Sequence, residues 1–160
     1  MANTFEIKIK INVFNSLNEL NTAEKELCIS AKEILNNAYA PYSKFKVGAA
    51  VLLESGEIVT GTNQENIAYP SGTCAERTAI FYASTQYPNK KIKAIAVTAK
   101  SDATIFDLNK PVSPCGVCRQ VIAEYEQKQN QSIKIFMIGN NDVIYQCQSI
   151  NDLLPLMFNK

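Results

Sequence analysis

Apolar and polar positions first alternate with period two. Phe5, Ile7, Ile9, Ile11 and Val13 are separated by polar residues, which predicts a half-buried strand over 5–13. Asn21 and Glu24 have the spacing of a capping box. Behind them Leu27, Ala31, Ile34 and Leu35 share one face of a helix over about 22–38. Ala40-Pro41-Tyr42-Ser43 breaks the pattern. A dense apolar run predicts a strand over 45–54, Ser55-Gly56 a hairpin turn, and 57–62 the returning strand. Residues 63–73 are polar, contain Pro70 and Gly72, and read as a loop. The spacing then predicts a helix over 74–86, a strand over 92–98, an irregular stretch over 100–113 and a short helix over 115–127. Strands at 133–138 and 143–148 flank the turn residues Asn140, Asn141 and Asp142, and 150–157 forms a last apolar turn or helix.

The order is β-α-β-β-α-β-α-β-β-α, which implies an α/β fold with a mixed sheet covered by helices on its faces. The chain shows no repeat, low-complexity tract or linker. Its 160 residues, 46% of them hydrophobic, suit one domain spanning 1–160.

Charge narrows the partners. Lys and Arg number 16 against 15 Asp and Glu, with no basic run. Affinity for a phosphate backbone comes mainly from a basic surface, so the balance favours a small uncharged substrate over nucleic acid. No stretch approaches the roughly 18 apolar residues of a membrane helix, and the N-terminus lacks the pattern of a secretory signal. The expectation is a soluble, cytoplasmic protein with no membrane partner. In that setting five cysteines read as metal ligands or buried thiols. Cys28 and Cys147 lie within helix and strand patterns and read as buried structural thiols. The chain contains no histidine, which removes imidazole bases and histidine metal ligands. Chemistry must rest on carboxylates, thiolates, lysine, tyrosine or a metal.

Two segments carry that chemistry. Thr73-Cys74-Ala75-Glu76-Arg77 opens one predicted helix, and Pro114-Cys115-Gly116-Val117-Cys118-Arg119-Gln120 opens the next. Cys115 and Cys118, three apart at a helix start, place both sulfurs on one face. Alone, such a pair also fits a redox couple or half of a structural zinc site. Cys74 as third ligand would leave one tetrahedral position open, the mark of a catalytic zinc, where bound water ionises near pH 7. Glu76, two residues after Cys74, would stand beside the metal without ligating it, placed to move protons. Three thiolates and Zn²⁺ sum to −1, so positive groups should offset them: two helix N-termini, and Arg77 or Arg119, with Arg77 favoured.

With these residues in view, the chain resembles the small homotetrameric zinc-dependent cytidine deaminases of nucleoside salvage. The likeness spans 38–158, leaving 1–20 as an N-terminal extension. It runs through Ala40-Pro41-Tyr42-Ser43-Lys44-Phe45-Lys46-Val47-Gly48-Ala49-Ala50, Asn63-Gln64-Glu65-Asn66 and both cysteine segments. Cys74-x-Glu76 with Pro114-Cys115-x-x-Cys118 is the known signature of zinc deaminases in its three-cysteine form.

The resemblance implies a three-layer α-β-α fold around a mixed sheet of about five strands, with the strand at 5–13 added. It implies one Zn²⁺ per subunit on Cys74, Cys115 and Cys118, and a homotetramer. It implies Glu76 as proton shuttle in the hydrolytic deamination of cytidine and 2'-deoxycytidine, with release of ammonia. It further implies that Phe45 stacks near the pyrimidine, that Asn63 and Glu65 bind ribose hydroxyls, and that the Ala75 N–H meets the base carbonyl. Tyr69 and Phe158 match aromatics that complete a neighbouring subunit's pocket. The chain departs from the usual pattern at Pro70, Gly72 and Thr73 before the metal helix, and in a longer segment over 100–112. A deaminase of a modified nucleoside or cytosine-bearing antibiotic on the same scaffold, and a non-enzymatic zinc-stabilised or redox module, stand as the alternatives.

Overall fold

The structure, a computed structural model, describes residues 2–101 and 107–158. Its strands are β1 (Asn12–Phe14), β2 (Phe45–Leu53), β3 (Ile58–Thr62), β4 (Ile92–Ser101), β5 (Lys134–Ile138) and β6 (Ile144–Cys147). The helices are α1 (Thr22–Ile34), α2 (Ala75–Gln86) and α3 (Gly116–Gln129). The strands form one six-stranded sheet in the order β1-β6-β5-β4-β2-β3. β4 and β5 run parallel, joined through α3, and every other pair is antiparallel. The sheet is therefore mixed, as its alternation of hairpins and helices predicts, with six strands against about five plus the N-terminal one.

Side-chain alternation along β2 separates the two faces. Ala49, Val51 and Leu53 pack with Ala75, Ala79, Ile80 and Ala83 of α2 and with Ile122 and Ala123 of α3. Ala50 and Leu52 point the other way, against Leu27, Cys28 and Ala31 of α1. The result is three layers: α1, the sheet, then α2 with α3. Two glycines set how closely the helices approach. A Cβ on Gly48 would lie 2.2 Å from the Ala31 carbonyl oxygen of α1. One on Gly61 would lie 2.5 Å from Ala79 N and 2.7 Å from Ala75 O, so the first turns of α2 rest directly on β3.

Cap chemistry sets the helix starts. Asn21 Oδ1 accepts from Glu24 N–H at 3.0 Å, the first half of the capping box. The reciprocal half is absent, because Glu24 Oε1 instead accepts from Lys134 Nζ at 2.8 Å. α3 ends at Asn130, whose φ of 49° gives the left-handed cap.

The expectations need two corrections, both to strands. The strand expected over 5–13 is ordered as a strand only at 12–14, and residues 2–11 are exposed. Period-two patterning marks an amphipathic segment but supplies no partner strand, and β1 pairs with only three of the four residues of β6. β4 runs on to Ser101 because its last residues pair with Phe45 and Lys46 at the start of β2. The apolar tail over 150–157 holds one 3₁₀ turn, Ile150–Asp152, beyond which Leu153, Leu154 and Met157 pack on the α2–α3 core without helical periodicity. Of the longer segment expected over 100–112, residues 102–106 lie outside the described residues.

Candidate metal centre and substrate cleft

The two cysteine segments meet because α2 and α3 begin at the same end of the same layer. Cys74 is the N-cap of α2 and Cys115 the N-cap of α3, both with extended backbone. Cys118 follows on the first turn of α3 and is fully buried. The three Sγ atoms lie within 4.8 Å of one another, with Cys74 and Cys115 at 3.8 Å. Three convergent thiols without a disulfide are soft donors matched to Zn²⁺, so the donor set fits that ion. The backbone N–H groups of both first turns lie at the same end, where helix dipoles favour negative charge.

The two arginines separate here. Arg77 Nη2 donates to Cys74 Sγ at 3.6 Å, and its Nε is buried with no hydrogen-bond partner among the described residues. Arg119 turns away from the sulfurs. Its Nε donates to Pro114 O at 2.8 Å, Nη1 to Leu153 O at 2.8 Å and Nη2 to Ser113 Oγ at 2.9 Å. It clamps the approach to Cys115 against the C-terminal segment.

The sulfurs are electrostatically unequal. The Cys118 thiol donates to Cys74, which with Arg77 holds Cys74 below the ordinary thiol range despite burial. The same bond, with burial, pushes Cys118 far upward. Glu76 sits in the first turn of α2 and is only 4% exposed. Burial raises its carboxyl above the usual range, and the charge on Cys74 adds to the rise.

A cleft of ≈690 Å³ opens over these groups. Phe45 and Val47 of β2 line it, with Asn63, Glu65, Tyr69, Cys74, Glu76, Arg77 and Cys115. Asn63 Oδ1 accepts from Val47 N–H at 2.8 Å, and its Nδ2 donates to Phe45 O at 2.9 Å. One amide hydrogen and one lone pair of Asn63 remain for a ligand. Glu65 accepts from the backbone N–H groups of Tyr42 at 2.9 Å and Ser43 at 3.2 Å, and from the Ser43 hydroxyl. Partial desolvation works upward on Glu65, but these bonds prevail and lower its pKa. Ala75 is the first residue of α2, where its N–H has no acceptor within the helix.

Tyr69 borders this chain's own cleft, edge-on to Tyr42 with ring centroids 6.5 Å apart. Phe158 is not among the cleft's lining residues. It is 85% exposed, and its carbonyl accepts from Gln120 Nε2 at 2.9 Å. Of the unusual loop residues, Pro70 lies in a 3₁₀ turn and Gly72 and Thr73 line the cleft.

Two groups escaped the sequence reading. Gln64 stitches the site together: its N–H donates to Thr73 O and its carbonyl accepts from Thr73 N–H, both at 2.9 Å. Its neighbour Glu65 donates its N–H to Tyr39 O at 2.9 Å. These main-chain bonds join the 39–43, 63–66 and 73–77 segments and leave no side-chain signature. Ser43 is the other. It holds Glu65 and accepts from Phe45 N–H at 3.0 Å, a serine–turn pattern visible in Ser43-Lys44-Phe45 only once Glu65 is known to lie beside it.

Comparisons with known proteins converge on this geometry. The family model described as the cytidine and deoxycytidylate deaminase zinc-binding region matches residues 21–133. A cytidine deaminase of Sporosarcina psychrophila is 43% identical over 136 residues, covering 85% of this chain and 91% of the relative. One of Halalkalibacterium halodurans is 41% identical over 130 residues, covering 81% and 87%. Among solved structures, the cytidine deaminase of Burkholderia pseudomallei aligns with a TM-score of 0.69 at 37% identity, covering 83% of this chain and 97% of that one. That of Mycobacterium tuberculosis aligns with a TM-score of 0.64 at 28% identity, covering 86% and 98%. With three clustered thiols, a buried glutamate beside them and a matched span from 21 to 133, the chain belongs to the cytidine and deoxycytidylate deaminase zinc-binding family.

Proposed function

We propose that the protein hydrolytically deaminates free cytidine and 2'-deoxycytidine to uridine and 2'-deoxyuridine with release of ammonia, in pyrimidine nucleoside salvage. The observation that carries this reading is Glu76, buried beside three convergent cysteine sulfurs at the floor of a cleft that Phe45, Asn63 and Glu65 also line. Cys74, Cys115 and Cys118 would hold one Zn²⁺ per subunit. When bound, such an ion supplies Lewis acidity and lowers the pKa of water toward about 7.

The chain's own groups do the rest. Glu76 takes a proton from the attacking water, delivers it to N3 of the cytosine and then assists the departing amino group. Its raised pKa suits a group that must hold a proton between those steps. Arg77 offsets negative charge at the sulfurs through its bond to Cys74. The Ala75 N–H orients the base carbonyl, and Phe45 packs on the pyrimidine. Asn63 and Glu65 bind sugar hydroxyls, an arrangement that disfavours a free base without a sugar.

The balanced charge supports a nucleoside rather than a nucleic acid. Among the described residues, no helix is long and apolar enough to cross a membrane. A cytoplasmic protein of one domain over 1–160, with an extension at 1–20 and a core over 38–158, fits this reading. So does a homotetramer in which Tyr69 and the exposed Phe158 complete a neighbouring pocket.

Ultraviolet absorbance of cytidine and deoxycytidine incubated with zinc-loaded protein tests the activity. Absence of turnover on both would overturn it. Glu76→Gln should keep its zinc and lose turnover by at least about 100-fold, and retained activity would remove Glu76 from its role.

A further inference from the structure

Phe5, Ile7, Ile9, Ile11 and Val13 remain 75, 46, 52, 40 and 55% exposed, although they alternate with Glu6, Lys8, Lys10 and Asn12 as a half-buried strand does. The segment runs directly into β1, the edge strand of the sheet, which pairs with β6 on one side. Among the described residues no ladder reaches 2–11. Val13 lies opposite Tyr145, which packs toward the α2–α3 core, whereas Phe14 packs toward α1. Alternation from that register assigns the odd, apolar positions to one face and Glu6, Lys8 and Lys10 to the other.

An apolar strip continuing a sheet edge is a template for strand addition. A second copy of the same segment matches it. In an antiparallel alignment with Lys8 opposite Lys8, Phe5 faces Ile11 and Ile7 faces Ile9, each twice. On the reverse face Glu6 meets Lys10 twice, leaving one like-charged pair on the axis. A register centred on Ile7 instead sets Ile11 against polar Asn3. A parallel alignment stacks Glu6, Lys8 and Lys10 on their own copies, three like-charged pairs. The first alignment pairs the four apolar residues of 5–11 among themselves and both Glu6 carboxylates with Lys10, with Val13 opposite Asn3 where β1 already pairs with β6. A register centred on Ile9 covers Val13 with Phe5, but it sets Lys8 against Lys10 twice and leaves Glu6 opposite Asn12.

We infer that residues 5–11 are an assembly element, pairing antiparallel with the same segment of a second copy about a two-fold axis through Lys8. The contact is separate from the Tyr69 and Phe158 aromatics assigned above to a neighbouring pocket, and it stands whether or not the chain deaminates cytidine.

Nitroxide labels on Lys8→Cys and, separately, Thr4→Cys in zinc-loaded protein test it by electron paramagnetic resonance, with labelled parent protein as background. Opposed Cβ atoms at position 8 stand about 5 Å apart, so their labels should couple within roughly 20 Å. Position 4 lies opposite position 12, eight residues along, so those labels should be at least about 26 Å apart. Ile7→Asp with Ile9→Asp, both exposed and leaving the circular dichroism unchanged, should abolish the short distance. No short coupling at position 8, equal distances at 4 and 8, or a short distance that survives the aspartates would each overturn the proposal.

Discussion

Cys74 and Cys115 are the N-caps of two different helices, and their sulfurs lie 3.8 Å apart. Neither side chain caps its own helix by a hydrogen bond, so both sulfurs are free to turn toward each other and toward Cys118. Each helix start contributes roughly half a positive charge, which partly offsets the thiolates a metal requires. Arg77 adds a full positive charge beside them, through its hydrogen bond to Cys74.

Arg77→Gln should therefore reduce turnover about 10–100-fold, the usual effect of losing a group that bonds a metal ligand. Arg77→Lys should recover part of it, since charge returns without the planar fork. Steady-state kinetics combined with zinc content by atomic absorption checks this. Unchanged kcat in the glutamine variant at full zinc occupancy would show that the helix ends alone balance the sulfurs.

Arg119 leads to a different expectation. Cys115 is the exposed sulfur of the three, and Arg119 holds the loop before it by two hydrogen bonds and ties it to Leu153 by a third. Arg119→Lys keeps the charge and loses the fork that reaches Pro114, Ser113 and Leu153 together. Zinc should then leave to a chelator roughly 10-fold faster. A colorimetric metal-release assay reads the rate, and an unchanged rate would make the clamp irrelevant to Cys115.

These two arginines mark where the sequence was legible. Both directly follow a site residue, so order alone left either able to face the sulfurs. Helix phase decides: Arg77 folds back over Cys74, while Arg119 reaches back to Pro114 and across to Leu153. The helices and strands were readable because period and cap chemistry are local, as at Asn21 and along β2. The fate of Phe5–Ile11 was not, because a period names a face and not its partner. Gln64 was invisible for another reason: with its neighbours Asn63 and Glu65 it joins three segments through main-chain atoms that any residue carries.

Gly61 links the sheet to the site. Its missing Cβ lets Ala75 O and Ala79 N sit where a methyl group would collide, and Ala75 lies between Cys74 and Glu76. Gly61→Ala forces backbone to move, at a cost of about 1–3 kcal/mol. In a chain of this size the melting temperature should fall roughly 2–4 °C per kcal/mol. Turnover measured well below the transition should fall more than stability does, because the shift displaces α2's first turn. A variant with wild-type kcat and a lowered melting temperature would confine Gly61 to packing.

Cys28 sets an alkaline limit. It is fully buried against the sheet between α1 and its core, and burial, with the nearby charge of Glu24, raises its pKa from 9.0 to about 12. Lys32 pulls the other way and is the weaker influence. In the unfolded chain the thiol ionises near 9.0, while the folded protein keeps its proton until about 12. Above pH 9 the unfolded state binds fewer protons, so stability is intact below that pH and declines as pH rises toward 12. At pH 11 the loss from this one group is roughly 2–3 kcal/mol. Cys28→Ala lowers stability at pH 8 by removing buried volume but lacks the titration. The gap between parent and variant in urea unfolding should therefore narrow by that amount between pH 8 and pH 11, tyrosine and lysine titrations being common to both. A gap that stays constant across the range would mean that Cys28 ionises as easily inside the fold as outside it.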